Sequence, residues 1–217
     1  MNGARVSSAA AVPMIKVLGA VSLACGVAIV ATQVATSARI HKNQEILLRE
    51  SVERLLPAIK KQVTYGIQPD GTIKILPGLE GEGHRFFVGY DGNGNFLGIV
   101  VEASDRGYAD VVSTMYSYDP EKRAIVGFQV VEMRETPGLG DKAKNDPDFL
   151  ANFKNLDASH EHAIATVKHG TKKHPWEIDA ISGATITSRA VGRALEKSVA
   201  EVAPIITRNI DRIKRGE

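Results

Sequence analysis

Hydrophobic positions change their spacing along the chain, and each change marks a different kind of element. From Val17 to Thr36 the run VLGAVSLACGVAIVATQVAT is interrupted only by Gln33 and small hydroxyl residues. Its roughly 20 residues match the length that crosses a bilayer core as a helix. From Ile40 to Tyr65, Ile46, Leu47, Val52, Leu55 and Leu56 recur at mixed three- and four-residue steps, with charges between them. That spacing predicts a helix over 40–65, kinked or restarted at Pro57. Short β-like runs follow at 72–76, 84–90, 96–102, 111–118, 124–132 and 163–168. Asp91-Gly92-Asn93-Gly94 and Asp119-Pro120 separate consecutive runs in the manner of hairpin turns. Ser188 to Val202 closes the pattern as a helix, with Val191, Leu195 and Val199 at steps of four. A helix, then strands in hairpin order, then a helix predicts an α+β fold: an antiparallel sheet with flanking helices.

Composition narrows this picture. The 217 residues suffice for one domain of ordinary size plus an anchor. The expected organisation is a short stub over 1–16, a transmembrane helix over 17–36 and a folded domain over 40–217. A cleaved signal peptide is the competing reading of the anchor, with Ala35-Thr36-Ser37-Ala38 as a weak cleavage site. A lipoprotein signal would need a branched apolar residue where Ser22 stands, three positions before Cys25. Basic residues lie on both sides of the span, Arg5 and Lys16 before it and Arg39, His41 and Lys42 after it. They leave its orientation open.

The formal net charge of +2 is too balanced to argue for nucleic acid. The single cysteine, Cys25, builds neither an intrachain disulfide nor a Cys-rich metal or iron–sulfur site, so any redox role needs an added cofactor. His160, His162, His169 and His174 form a loose group without supporting carboxylate spacing. It reads as a polar loop or strand rather than a metal site. No G-x-G-x-x-G turn follows a first strand, and Gly138-Leu139-Gly140 runs into Asp141-Lys142 rather than into a helix.

Two loops carry candidate chemistry. Asp179-Ala180-Ile181-Ser182-Gly183-Ala184-Thr185-Ile186-Thr187-Ser188 precedes the last helix. Its small residues let the backbone approach another group closely. A helix N-terminus offers free N–H groups and partial positive charge to a phosphate. The plainer alternative is a turn with a hydroxyl helix cap. Glu135-Thr136-Pro137-Gly138-Leu139-Gly140 is the second loop, a surface turn by composition whose glycines would let backbone N–H groups line a ligand.

Asp179 to Thr187 resembles the flavinylation motif of the FMN-binding domain family, and Glu135 to Gly140 resembles a second segment of that family. The two stand in the family's order, about 45 residues apart, behind an N-terminal span. The resemblance covers essentially the whole chain. It is closest to the G subunits of Rnf-type ion-translocating electron-transport complexes. The C subunits of sodium-translocating NADH:quinone reductases are near relatives and the alternative assignment.

The resemblance implies FMN joined through its phosphate to Thr185 by a flavin transferase. Ser182, Gly183, Ala184 and Thr187, with Glu135, Thr136, Gly138, Leu139 and Gly140, would form the flavin site. No catalytic residue and no metal are implied. The chain would be an electron-transfer subunit among other membrane subunits, not a stand-alone enzyme, with its domain outside the cytoplasmic membrane. Lys142 would set positive charge near the flavin or lie solvated. Trp176 would pack on the flavin ring or in the core. Tyr108-Ala109-Asp110 departs from the family in standing where a more Gly-rich turn is expected. A membrane-tethered module holding an anionic ligand without a covalent bond, or an assembly subunit with a vestigial loop, would also fit the residues alone.

Overall fold

A computed structural model describes residues 8–77, 84–159 and 161–216. A single helix, α1 (Ser8–Leu55), opens the described chain. Contacts divide the chain into two compact units between Ile46 and Leu47.

The first unit is the helix up to Ile46. Its apolar side chains from Val12 onward, including Leu18, Leu23, Ile29 and Val34, are exposed, and it is long and apolar enough to cross a membrane. Thr32 donates its hydroxyl to the Ala28 carbonyl and Thr36 to that of Thr32, each at 2.8 Å. Hydroxyls satisfied within the helix are what an apolar surrounding demands.

The second unit is built on an antiparallel sheet. Its strands are β1 (Lys61–Ile67), β2 (Ile73–Leu76), β3 (Arg85–Tyr90), β4 (Phe96–Arg106), β5 (Val111–Asp119), β6 (Ala124–Glu132) and β7 (Leu156–Asp157). They lie in the order β2-β1-β3-β4-β5-β6-β7, every neighbouring pair antiparallel. The hairpin expected at residues 91–94 is present. The Asp91 carboxylate accepts the N–H of Asn93 and of Asn95, each at 2.8 Å, and Gly94 takes the positive φ the turn requires. A 3₁₀ turn (Gly140–Lys144), the short helix α2 (Pro147–Ala151) and a parallel pair, β8 (Ala165–Val167) with β9 (Glu177–Asp179), lead to the long helix α3 (Thr185–Arg215).

Side chains alternate across the sheet with the period of two that strands impose. Phe86, Val88, Ile99, Val101, Tyr116 and Tyr118 face one core, which α3 completes with Val191, Leu195, Val199, Val202 and Ile206. The buried Tyr116 hydroxyl meets Ser198 Oγ at 2.9 Å, and Tyr90 donates to the Ile213 carbonyl near the far end of α3. At the rim, Asp105 Oδ2 takes Lys197 Nζ at 2.9 Å and Arg193 Nε at 3.2 Å. Partial burial works to raise the Asp105 pKa, but Lys197, the Arg106 N–H and Arg193 outweigh it and hold the carboxyl below its ordinary value. This ion pairing is therefore complete at neutral pH and weakens as pH falls through that depressed value.

Phe87, Val100 and Met115 point to the opposite face, where Leu48, Val52 and Leu56 cover them. Here Gly89 and Gly98, paired across β3 and β4, leave a depression for the chain after α1. A Cβ on Gly98 would lie 2.8 Å from Leu56 Cδ2, and one on Gly89 would lie 2.8 Å from Leu56 Cδ1. A Gly98→Val protein is expected to lose about 1–3 kcal/mol of stability from this overpacking, read as a lower urea midpoint with an unchanged slope.

Two sequence expectations need correction. The helix expected over 40–65 is continuous with the span and ends at Leu55. Pro57 disfavours helical backbone at the residue before it. Residues 61–66 then pair with β3, and Tyr65 stacks on Phe86 at 5.3 Å. The last helix also outruns Val202, passing through Pro204 to Arg215, because Ile206 and Ile213 continue its buried stripe.

Candidate functional site

Residues 179–188 form a closed loop at the start of α3. Ala184 N–H donates to the Ile181 carbonyl at 3.1 Å, and Ser188 N–H donates to the Ala184 carbonyl at 3.0 Å. The Ser188 hydroxyl accepts Ile181 N–H and donates to the Ala184 carbonyl, both at 3.0 Å. Gly183 sits at φ +81°, a left-handed conformation that favours glycine. The loop is fixed from behind by Asn152, which is buried. Its Oδ1 accepts Asp179 N–H at 3.0 Å, and its Nδ2 donates to the Phe149 carbonyl at 3.0 Å and to the Asp179 carbonyl at 3.3 Å. Asn152 was not legible as a site residue, since an isolated Asn in a loop gives no periodic signal. Lys172 donates to the same Oδ1 at 3.0 Å, and desolvation lowers its pKa against the pull of Asp179 and Glu177.

The four hydroxyls of this loop have different fates. Thr187 is 2% exposed and donates to Glu135 Oε2 at 2.6 Å. Ser188 is fully buried and used within the loop. Ser182 and Thr185 are exposed. Thr185 is the first residue of α3, a 31-residue helix whose N-cap position is Ala184 and which has no side-chain cap. A long helix without a cap leaves first-turn N–H groups available to an anion.

The second predicted loop lies against the first. Leu139 and Gly140 N–H groups donate to the Thr136 carbonyl at 3.2 and 3.1 Å, and Gly138 has φ +76°. A Cβ on Gly183 would stand 3.4 Å from Leu139 Cδ2, so the Leu139 side chain reaches over the glycine of the first loop. Leu139 and Ile186 are about half exposed, apolar groups left at the surface beside Thr185. Thr136 is exposed at the turn, and Gly140 is buried beneath it. Glu135 also accepts the Ala109 N–H at 3.1 Å, which brings the unexpected Tyr108-Ala109-Asp110 segment to the site.

A cleft of about 200 Å³ opens beside Ser182, lined by Lys142, Asp146, Asp148, His169 and Asp179 among others. Lys142 is exposed and borders it. His169 Nδ1 lies 3.0 Å from the Ala180 carbonyl and 3.5 Å from Asp179 Oδ2. Trp176 is half-buried and stacks on His162 and His174, with ring centroids 3.8 and 4.4 Å away. His160 lies outside the described residues. Among the described residues, no three His, Cys, Asp or Glu side chains are grouped to hold a metal ion.

Residues 107–200, which contain both loops, match the family model described as FMN-binding domain. The chain is 31% identical over 171 residues to the G subunit of the ion-translocating oxidoreductase complex of Methanosarcina acetivorans, covering 77% of this chain and 81% of that protein. It is 34% identical over 106 residues to the G subunit of the proton-translocating ferredoxin:NAD(+) oxidoreductase complex of Clostridium ljungdahlii. That match covers 49% of this chain and spans about half of the relative, 54%. The fold is similar to that of NqrC from Shewanella oneidensis, with a TM-score of 0.63 at 21% identity, covering 79% of this chain and 99% of the other.

Proposed function

Because the chain belongs to the G-subunit family of ion-translocating oxidoreductase complexes, we propose that it is a membrane-anchored electron-transfer subunit with FMN joined through phosphate to Thr185. One observation carries the choice of residue. Of the hydroxyls in the loop, Thr185 alone is both exposed and seated in the first turn of an uncapped helix, while Thr187 and Ser188 are buried and engaged. A phosphodiester keeps one negative charge, and that end of α3 stabilises it.

The residues present fit the group. Gly183 and Ala184 add little bulk beside the attachment point, Ser182 and the Thr136–Gly140 turn border it, and Leu139 and Ile186 offer apolar surface to a ring. Lys142 borders the neighbouring cleft and supplies positive charge there. When bound, a flavin supplies one- and two-electron exchange that the side chains lack. The chain's own part is to hold, orient and partly desolvate it.

Attachment is a group transfer from FAD catalysed by a flavin transferase. Thr185 Oγ1 attacks the phosphorus of the FMN half and gives its proton to a base of the transferase. The phosphoanhydride bond breaks and AMP leaves, with no change of oxidation state. The apolar part of α1 holds the chain in the cytoplasmic membrane by its N-terminal span, with the short stub inside and the domain on the extracytoplasmic side. Electrons then pass between other membrane subunits by way of this domain. A tether prevents loss of the cofactor where free FMN is scarce.

The intact mass of protein made alongside a flavin transferase tests this directly. The expected product is heavier than the polypeptide by one FMN less water and stays fluorescent after denaturation. A ligand that leaves on denaturation, with no added mass, would favour the noncovalent binding module instead.

A further inference from the structure

The carboxylate of Glu135 joins three segments far apart in the chain. Oε2 accepts the Thr187 hydroxyl at 2.6 Å, and Oε1 accepts the Ala109 N–H at 3.1 Å. Space for it exists only because two neighbours lack side chains. A Cβ on Gly140 would stand 2.7 Å from Glu135 Cβ, 2.9 Å from Glu135 Oε2 and 2.9 Å from Thr187 Oγ1. A Cβ on Gly107 would collide with Glu135 Oε1 and stand 2.9 Å from Val112 Cγ2. Thr187 is almost fully buried, so its hydroxyl is unavailable to a ligand without a local opening. Charge-assisted hydrogen bonds of this length are among the stronger polar contacts in proteins.

We propose that Glu135 and Thr187 are positioning residues: a latch that fastens the 107–110 loop and the 136–140 turn to the first turn of α3 and thereby aims the Thr185 hydroxyl. The inference rests on Thr185 being the attachment residue. Thr187 lies two residues beyond Thr185 in the same helical turn, so the direction of its side chain fixes the rotation of that turn. The Glu135 bond, spanning 52 residues of chain, sets that rotation against the sheet. Group transfer is sensitive to such aim, and a misplacement of about 1 Å can cost about 100-fold in rate. On this reading the glycines of the second loop serve the carboxylate as much as they serve the cofactor.

The test uses the full-length protein with FAD and a flavin transferase, comparing wild type, Thr187→Val and Thr187→Ser. Valine keeps the shape of Thr187 and removes the donor, whereas serine keeps the donor. Thr187→Val is expected to lower kcat for flavin transfer by about 10- to 100-fold, with KM for this chain nearly unchanged. Exchange of the Ala109 amide hydrogen should rise by about 10-fold in the same protein, because its acceptor is no longer held. Thr187→Ser should recover most of both effects. Wild-type kcat in Thr187→Val would overturn the latch while leaving the attachment site intact. A loss that appears in KM alone, or that Thr187→Ser fails to recover, would also overturn it. A wild-type protein that gains no flavin would overturn the attachment reading itself, and an Ala109 amide exchanging equally in wild type and Thr187→Val would then remove the latch as well.

Discussion

Replacing Thr185 by valine is expected to abolish covalent flavin without unfolding the protein. The side chain is exposed, and the bonds that shape its loop belong to Ser188, Ala184, Ile181, Thr187 and Glu135. Valine matches threonine in shape and nearly in helix propensity. The cost to stability should therefore stay within about 0.5 kcal/mol, as for other surface exchanges. Chemical attachment, by contrast, has no substitute nucleophile in the same place, because the remaining exposed hydroxyl, Ser182, precedes the helix. Fluorescence of the denatured band should vanish while the membrane fraction holds the normal amount of protein. Fluorescence that persists in Thr185→Val would move the attachment to Ser182 or remove it from this loop. Normal electron transfer in a flavin-free Thr185→Val membrane would instead favour an assembly role.

The second large effect concerns where the folded domain begins. A fragment of residues 47–217 is expected to fold, and a fragment of residues 61–217 is not. The difference is the end of α1 and the chain after it, where Leu48, Val52 and Leu56 are 7%, 0% and 9% exposed over Phe87, Val100 and Met115. Burying each such side chain is worth about 1.5–3 kcal/mol, so losing all three costs about 5–9 kcal/mol. That is comparable with the whole stability of an ordinary domain, about 5–15 kcal/mol. A cooperative urea transition for 47–217 beside dye-binding, non-cooperative behaviour for 61–217 is the expected pair of results. Equal midpoints for the two fragments would show that the second core contributes little.

The strands were legible because they alternate and are punctuated: 124–132 matches its run of residues, and Asp91 to Gly94 marks the turn it makes. The end of β4 was not, because Ser104, Asp105 and Arg106 break the apolar alternation while still pairing with β5. Tyr65 closes the stretch read as a helix, and its antiparallel pairing with Phe86 and Ile75, long-range partners with no local signal, makes it a strand residue. The parallel pairing of β8 with β9 has no local signature at three residues each. At the site, composition alone left both loops as plain turns, their resemblance to the family's segments singled them out, and the structure sets Leu139 over Gly183. What composition could not convey was who bonds whom. Glu135 and Thr187 look like ligand groups when read singly, yet their polar atoms meet each other across 52 residues.

The sheet's outermost strands are short: four residues in β2, with Lys74 at its middle, and two in β7, ending on Asp157. A protein confined to a membrane meets its neighbours in two dimensions, at local concentrations far above those in solution. Long bare edges there would invite copies to zip together through unpaired backbone groups. Edges this brief, with Lys74 on one and Asp157 on the other, offer too few rungs for that, so crowded copies can stay separate.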